Sequence, residues 1–399
     1  MKIMAINAGS SSLKFQLLQM PSEDVITSGV FERIGLDDAV FTIKFNDQKQ
    51  ELKQPIKNHG VAVDLLLEGL IKLNIIKSLE DIKGVGHRIV QGGEIFKEAA
   101  IIDDKVVADI ESLIPLAPLH NAAHVIGIRA FRKALPNVLQ LAIFDTTFHQ
   151  TMEEDAFLYA TPYEWYTKYG IRKYGFHGTS HQYVSQVANK MLNNENAKLI
   201  VCHIGNGVSI TAIDAGKSVD TSMGLTPLEG VPMGTRTGNI DPSMLSLIQE
   251  REGKSLQELL NILNKESGYL GVSGVSNDSR DIAKAAEEGN RRAQLAMILQ
   301  AKRIADYIGS YYIRLRGLDA IVFTAGIGEN SGEVRKMIID YVKVLGVELD
   351  DKLNNTRGVT GNIATKNSKV KVFVIPTDEE VMLAREVYNK LKEVKKYES

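Results

Sequence analysis

The chemistry that this chain can perform is first suggested near its N-terminus. A glycine, three serines and a lysine fall within six residues of the segment NAGSSSLKF, residues 7–15. Glycine lets a backbone approach an anion closely, and hydroxyls and an ammonium group can bond phosphate or metal-bound water. The P-loop pattern, however, needs a second glycine just before the lysine, and Leu13 stands there. Leu13, Phe15 and Leu17 instead alternate with Lys14, Gln16 and Leu18, which predicts a strand that turns at Gly9 and returns as a second strand. Ser10, Ser12 and Lys14 share parity and are expected on one face.

Three further glycine-rich segments can present backbone N–H groups to phosphate: HIGNG (203–207), TAGIGEN (324–330) and GVSGVSN (271–277). Any one of them alone is equally an ordinary tight turn. HIGNG and TAGIGEN follow apolar strands, the end at which α/β proteins bind ligands, and TAGIGEN is expected to open a helix near Ser331. Arg88 in GVGHRIVQGGE and Arg236 in GVPMGTRTGNIDP lie among small residues, where a guanidinium can clamp carboxylate or phosphate with two bonds. His120/His124 and His177/His181 have the i, i+4 spacing of a zinc-chelating helix, but neither pair carries the glutamate of H-E-x-x-H. Asp145 ends the apolar run of LAIFDTTFH and reads either as a ligand carboxylate or as a helix N-cap. In PTDEE, Thr377 and Glu380 fit a capping box, which leaves Asp378 and Glu379 for Mg²⁺ held through water.

The elements that must position these residues alternate between strand and helix. Strands are predicted at 2–6, 198–204 and 320–324, and helices at 61–73, 290–315 and 379–394. This pattern defines an α/β protein. Residues 3–18 can be laid over residues 200–215, strand, glycine turn and return strand in each, which points to an internal duplication. With 399 residues the chain is expected to form two domains. We expect them at 1–150 and 151–382, with a helix at 383–399 packing back on the first. The net charge of −2 argues against a general nucleic-acid or membrane-surface binder. The single cysteine, Cys202, lies in an apolar run and reads as a core thiol in a reducing compartment. The N-terminal apolar run is too short for a signal-peptide core and no stretch is long enough to span a bilayer, so a soluble cytoplasmic protein is expected.

Taken together and in order, NAGSSSLKF, GHRIVQGG, PLAPLHN, IFDTTFH, YGFHGTSH, HIGNG, MGTRTG, TAGIGEN and PTDEE resemble the acetate kinase (acetokinase) family from the first strand to the last helix. The departures are Thr237 and Asn239, where the family more often has serine and aspartate. The resemblance implies the acetate and sugar kinase/Hsp70/actin superfamily fold: two duplicated ribonuclease H-like α/β domains with an interdomain cleft. It implies direct in-line transfer of the ATP γ-phosphoryl group to acetate, with ATP/ADP as co-substrate and Mg²⁺ or Mn²⁺ as metal, in a cytoplasmic homodimer. Arg88 and Arg236 would bind acetate and the moving phosphoryl group, His177 would stabilise the transition state, and Asp145 carries an acid/base or positioning role. Val90, Leu119, His120, Phe176 and Pro227 would bind acetate. Ser10, Ser12 and Lys14, His203, Ile204, Gly205, Asn206 and Gly207, Asp278, Ser279 and Arg280, and Gly326, Ile327, Gly328, Glu329 and Asn330 would bind nucleotide. Asn7 and Glu379 would hold the metal. Acetate is already ionised at neutral pH and needs no strong base, so we read Asp145 as orienting an arginine or metal-bound water. The rivals are a propionate or butyrate kinase of the same family, a zinc hydrolase, and an actin- or Hsp70-like ATP switch.

Overall fold

The computed structural model describes residues 1–118 and 120–398. The chain divides into two compact units: unit 1 is Met1–Thr147 together with the C-terminal segment from Asp378, and unit 2 is Phe148–Thr377.

Unit 1 is built on β1 (Lys2–Ala8), β2 (Ser12–Gln19), β3 (Asp24–Glu32), β4 (Val40–Phe45), β5 (Gln48–Lys53), β6 (Ile82–Ile89), β7 (Ala100–Ile101) and β8 (Leu139–Phe144). Among the described residues they form one sheet in the order β5-β4-β3-β2-β1-β6-β8-β7. β1 and β2 are an antiparallel hairpin with Asn7 opposite Lys14, while β1, β6 and β8 run parallel. Ile3, Met4, Ala5 and Ile6 are all buried, as a central strand covered on both faces requires. Leu13, Phe15 and Leu17 are buried while Lys14 between them is exposed, so Leu13 is a core residue of the return strand. The parity argument stops at Ser12, where the strand begins; Ser10 lies in the turn, which Gly9 closes by donating its N–H to Ser12 O at 2.9 Å. At the far edge β5, QKQELK, is exposed throughout, a polar edge that discourages further pairing.

The helix Glu379–Glu398 packs on β6 and β1. Two glycines of β6 allow it. A Cβ on Gly84 would stand 2.4 Å from Val387 Cγ1, and one on Gly86 3.1 Å from Leu383 O. The helix start departs from the expected capping box. Asp378, not Thr377, accepts the Val381 N–H, at 3.0 Å, and Glu380 is bonded to Lys14 instead of reaching back. A charged partner on β2 outbids the local cap for Glu380.

Unit 2 repeats the frame. It contains β9 (Lys198–Ile204), β10 (Val208–Asp214), β11 (Lys217–Thr221), β12 (Ala320–Thr324), β13 (Gly361–Asn362) and β14 (Lys371–Val374), in the order β11-β10-β9-β12-β14-β13. β9 and β10 form the second hairpin, and β12 runs parallel to β9 and to β14. Strand for strand this matches β3-β2-β1-β6-β8-β7 of unit 1, including the short antiparallel final strand. Cys202 is fully buried within β9, and burial pushes its thiol well above the usual range, so it is a core residue and no nucleophile. The long helix Arg291–Leu315 packs over β9 and β10. TAGIGEN is not an open loop before a helix at Ser331: residues Ala325–Asn330 are themselves helical, and Ser331 caps the next helix, Gly332–Val342. Ala325 takes a left-handed φ of 64° at the junction, which is where the strand turns abruptly into the helical turn.

Candidate active site

In unit 1 three parallel strands deliver side chains at their carboxyl ends. Arg88 is near the end of β6, across from Ile143 of β8, and Asp145 follows β8 directly, its N–H bonded to Ile89 O at 2.8 Å. Arg88 Nε donates to Asp145 Oδ1 at 2.9 Å and Nη2 to Oδ2 at 2.7 Å, a bidentate fork. The remaining Nη1 stands 3.5 Å from Glu379 Oε2, in the first turn of the C-terminal helix. Burial opposes the charge on Arg88, but Asp145 and Glu379 overturn it and hold the guanidinium protonated above its usual range. Burial likewise pushes the Asp145 carboxyl up, with Arg88 opposing.

Asn7 lies at the end of β1 and Ser12 at the start of β2, and Lys14 forms an ion pair with Glu380. Val90 is buried just beyond β6. His120 precedes the helix Asn121–Ala134, with its ring 6.5 Å from that of His124. Burial, with Arg88 adding to it, pushes His124 down to about 3, so this ring is neutral. Leu119 lies outside the described residues.

In unit 2 the helix Gly178–Leu192 begins within HGTSH, directly after His177. His177 caps that helix in a left-handed conformation, φ 55°, rare for a side chain other than glycine or asparagine and typical of functional sites. The preceding residue, Phe176, is buried, and its carbonyl accepts from His149 Nε2 at 2.8 Å. His177 Nδ1 is 2.9 Å from Ser209 Oγ. The His177 ring stacks on His203 at 4.0 Å between centroids. His203 begins HIGNG, whose last residues form a hairpin turn beside the two rings: Gly205 N–H donates to Gly207 O at 3.0 Å. A Cβ on Gly207 would lie 3.4 Å from His177 Nε2 and 3.4 Å from Arg236 Nη1, so an imidazole and a guanidinium converge on this glycine.

Arg236 is half-buried in its loop. Its Nη1 donates to Pro227 O at 3.2 Å and contacts Met233 Sδ at 3.7 Å, and among the described residues it has no carboxylate partner. Burial lowers its pKa below the usual arginine value. A desolvated guanidinium without an acid is a receptor for an incoming anion.

A cavity of about 1140 Å³ opens beside the turn. From the expected nucleotide set, Gly205, Asn206, Asp278, Ser279, Arg280, Gly326, Ile327 and Asn330 line it. Ile204 is core, Gly328 faces β9, and the Glu329 carboxylate accepts the Thr377 N–H at 3.0 Å, tying the helical turn to the end of the sheet. Ser10, Ser12 and Lys14 belong to unit 1. Tyr269, Met297, Glu333, Asn355 and Arg357 also line the cavity and carried no signal in the sequence, because each comes from an otherwise ordinary helix or loop. Ser180, Ser209 and Thr377 were missed as well. Ser209 left one detectable trace: with Thr211 it is one of two hydroxyls in the otherwise apolar run VSITAI of a buried strand.

Such a frame, a hairpin-centred α/β core occurring twice with an anion-receptive arginine and a nucleotide-sized cavity, defines a phosphotransferase of the acetate and sugar kinase/Hsp70/actin superfamily. The Acetokinase family matches residues 2–385. The chain is 63% identical over 97% of its length to an acetate kinase of Acholeplasma laidlawii, covering 98% of that protein, and 56% identical over 97% to one from Bacillus cytotoxicus, covering 98% of it. Among solved structures it superposes on Porphyromonas gingivalis acetate kinase with a TM-score of 0.94 at 44% identity, covering 98% of this chain and 99% of that one. A propionate kinase of Francisella tularensis gives 0.92 at 42% identity over 97% and 99%. The chain belongs to the acetokinase family and is a phosphotransferase.

Proposed function

We propose that this chain transfers the γ-phosphoryl group of ATP to acetate, reversibly, giving acetyl phosphate and ADP by direct in-line displacement. The observation that carries this reading is Arg236: a half-buried guanidinium with no carboxylate partner among the described residues, converging with His177 on Gly207. The reaction brings an anionic nucleophile to an anionic phosphoryl group, so its principal demand is positive charge held in place. Arg236 and His177, converging on Gly207, meet that demand. The cavity bounded by Gly205, Asn206, Asp278 and Gly326 suits the nucleotide in size and in its backbone-rich lining.

Asp145 serves as the anchor of Arg88. Its two oxygens are spent on that guanidinium, and acetate has no proton to lose. Asn7 and Glu379 are oxygen donors of the kind Mg²⁺ prefers, and such an ion keeps much of its water. When bound, the metal would neutralise phosphate charge. The protein works as a cytoplasmic homodimer, as its family resemblance implies; among the described residues no helix is long and apolar enough to cross a membrane.

Propionate is the second reading, favoured by the likeness to the propionate kinase structure. One added methylene is worth only about 1–3 kcal/mol, so some propionate turnover is expected alongside acetate. A hydroxylamine trap for acyl phosphate, run with ATP and each of acetate, propionate and butyrate, tests the proposal. Acyl hydroxamate forming in step with ADP, fastest with acetate, is the expected result. ATP hydrolysis indifferent to the carboxylate would overturn it.

A further inference from the structure

Unit 2 holds four imidazoles in one continuous group. His177 stacks on His203, His181 lies 6.0 Å from His203, and His149 lies 5.7 Å from His181. Behind them stand hydroxyls. Ser209 Oγ is 2.9 Å from His177 Nδ1 and 2.7 Å from His181 Nε2. Ser180 Oγ is 2.8 Å from His203 Nδ1 and accepts from Thr377 Oγ1 at 2.8 Å.

A hydroxyl has one proton, so Ser209 can donate to only one of its two rings. His181 decides which. Its ring is fully buried, and its Nδ1 has no partner among the described residues. If Ser209 donated to His181, the ring proton would have to sit on Nδ1 as an unpaired buried N–H, the rarer and costlier kind of orphan. The proton therefore resides on Nε2 and is donated to Ser209, whose own proton is left for His177 Nδ1. Burial keeps His181 uncharged by lowering its pKa well below the usual value, which excludes a ring carrying both protons. The second chain has the same direction. Thr377 donates to Ser180, so Ser180 donates to His203 Nδ1 and the proton of that ring sits on Nε2, the atom 4.0 Å from where a Cβ on Gly205 would be.

We propose that Ser209 and His181 are positioning residues for phosphoryl transfer: the Ser209 hydroxyl, accepting from His181 Nε2–H, donates to His177 Nδ1 and fixes His177 with its proton on Nε2, the atom turned toward Gly207 and Arg236. The nitrogen hydrogen-bonded from behind sets which nitrogen is presented in front. His177 thus offers a donor to a developing charge and never a competing lone pair. Thr377 and Ser180 do the same for His203. The inference rests on the phosphotransfer reading, because only a reacting anion gives the donor its purpose.

The test is a long-range ¹H–¹⁵N spectrum of the histidine rings in the full-length protein at neutral pH, with His177 assigned from a His177→Gln spectrum. The expected pattern is a protonated Nε2 and a bare Nδ1 for His177. A protonated Nδ1, alone or together with Nε2, overturns the proposal. Ser209→Ala is expected to lower kcat about tenfold: outright loss of a transition-state donor costs about 10²–10³, and here the donor is misaligned instead of lost. Both KM values should stay near wild type, and an Nδ1–H fraction should appear in the spectrum. Ser209→Thr, which keeps the hydroxyl, should restore the wild-type pattern. An unchanged kcat in Ser209→Ala, or a loss confined to KM, refutes the relay. The ring spectrum needs no turnover, so absence of acyl phosphate overturns the functional reading without deciding this one.

Discussion

Arg88 and Arg236 carry the same guanidinium into opposite circumstances. Arg88 is held in a bidentate fork by Asp145 and touched by Glu379, while Arg236 rests on a proline carbonyl and a methionine sulfur. The contrast extends to the frames that bear them. At the carboxyl ends of β6 and β8 stand Arg88 and Asp145, with Glu379 of the C-terminal helix beside them; at the end of β9 stands His203, followed by the glycine turn, with His177 and Ser209 beside it. One site holds its charges already compensated and aligned, and the other has a cation without a carboxylate partner among the described residues, beside imidazole and hydroxyl groups. The first arrangement gives rigidity, since a paired charge has little freedom. The second gives affinity for an anion, since a desolvated cation gains most from meeting one.

The sharpest way to break this comparison is Arg236→Ala. Kcat/KM should fall about 10³-fold, in the range of arginines that stabilise phosphoryl transfer, while stability changes by no more than about 1 kcal/mol, because only two weak neutral contacts are lost. Urea unfolding beside the hydroxamate assay reads both. A large stability loss would mean that Arg236 is a structural residue. Arg88→Ala should show the reverse emphasis. It leaves the Asp145 carboxylate buried and unpaired, so about 3 kcal/mol of stability should go with the activity. Adding Asp145→Asn to Arg88→Ala removes the unpaired buried charge and should recover part of the stability; if stability is untouched in Arg88→Ala, the pair does not anchor unit 1.

A smaller effect lies in the pH dependence of unit 1. His87 is buried against Gln140, and burial lowers it to about 4 although that bond opposes the shift. The unfolded ring takes up a proton below about 6.5 and the folded ring does not. Stability from His87 is therefore complete above about 6.5 and is lost as pH falls toward about 4, by up to about 1.4 kcal/mol per pH unit. His87→Gln should flatten the acid limb of unfolding in unit 1, followed by hydrogen exchange of β6, and leave β9 unaffected. Smallest of all is Lys14→Met. Lys14 is half-exposed in its pair with Glu380, and such pairs contribute about 0–1 kcal/mol. Stability should hardly move, and a KM change for ATP of more than a few-fold would show that Lys14 acts on the nucleotide and not only on Glu380.

Much of the fold was legible because its signals are local. Alternation in residues 12–19 specified a strand with Leu13 inside, and the helices read at 61–73, 290–315 and 379–394 occur as His59–Lys72, Arg291–Leu315 and Glu379–Glu398. Local patterns failed where a distant partner competed. Glu380 fits a capping box by spacing, yet Lys14 claims it from another strand, and TAGIGEN has a loop's composition while its helical turn is held by Glu329 reaching Thr377. Ser10 has the right parity for the return strand but belongs to the turn, because parity says nothing about where pairing stops.

The sequence alone determined the two hairpins, the alternation of strand and helix, the core position of Cys202 and the residue types available for chemistry, because periodicity and turn composition act within a few residues. Tertiary structure alone decided what each polar group meets. Arg88 finds Asp145 across 57 residues, His177 finds Ser209 across 32 and Thr377 finds Ser180 across 197. Hydrogen bonds and ion pairs are short-ranged and directional, so distance along the chain carries no information about them. That is why two arginines in similar glycine-flanked settings proved to be one anchored cation and one open to an anion.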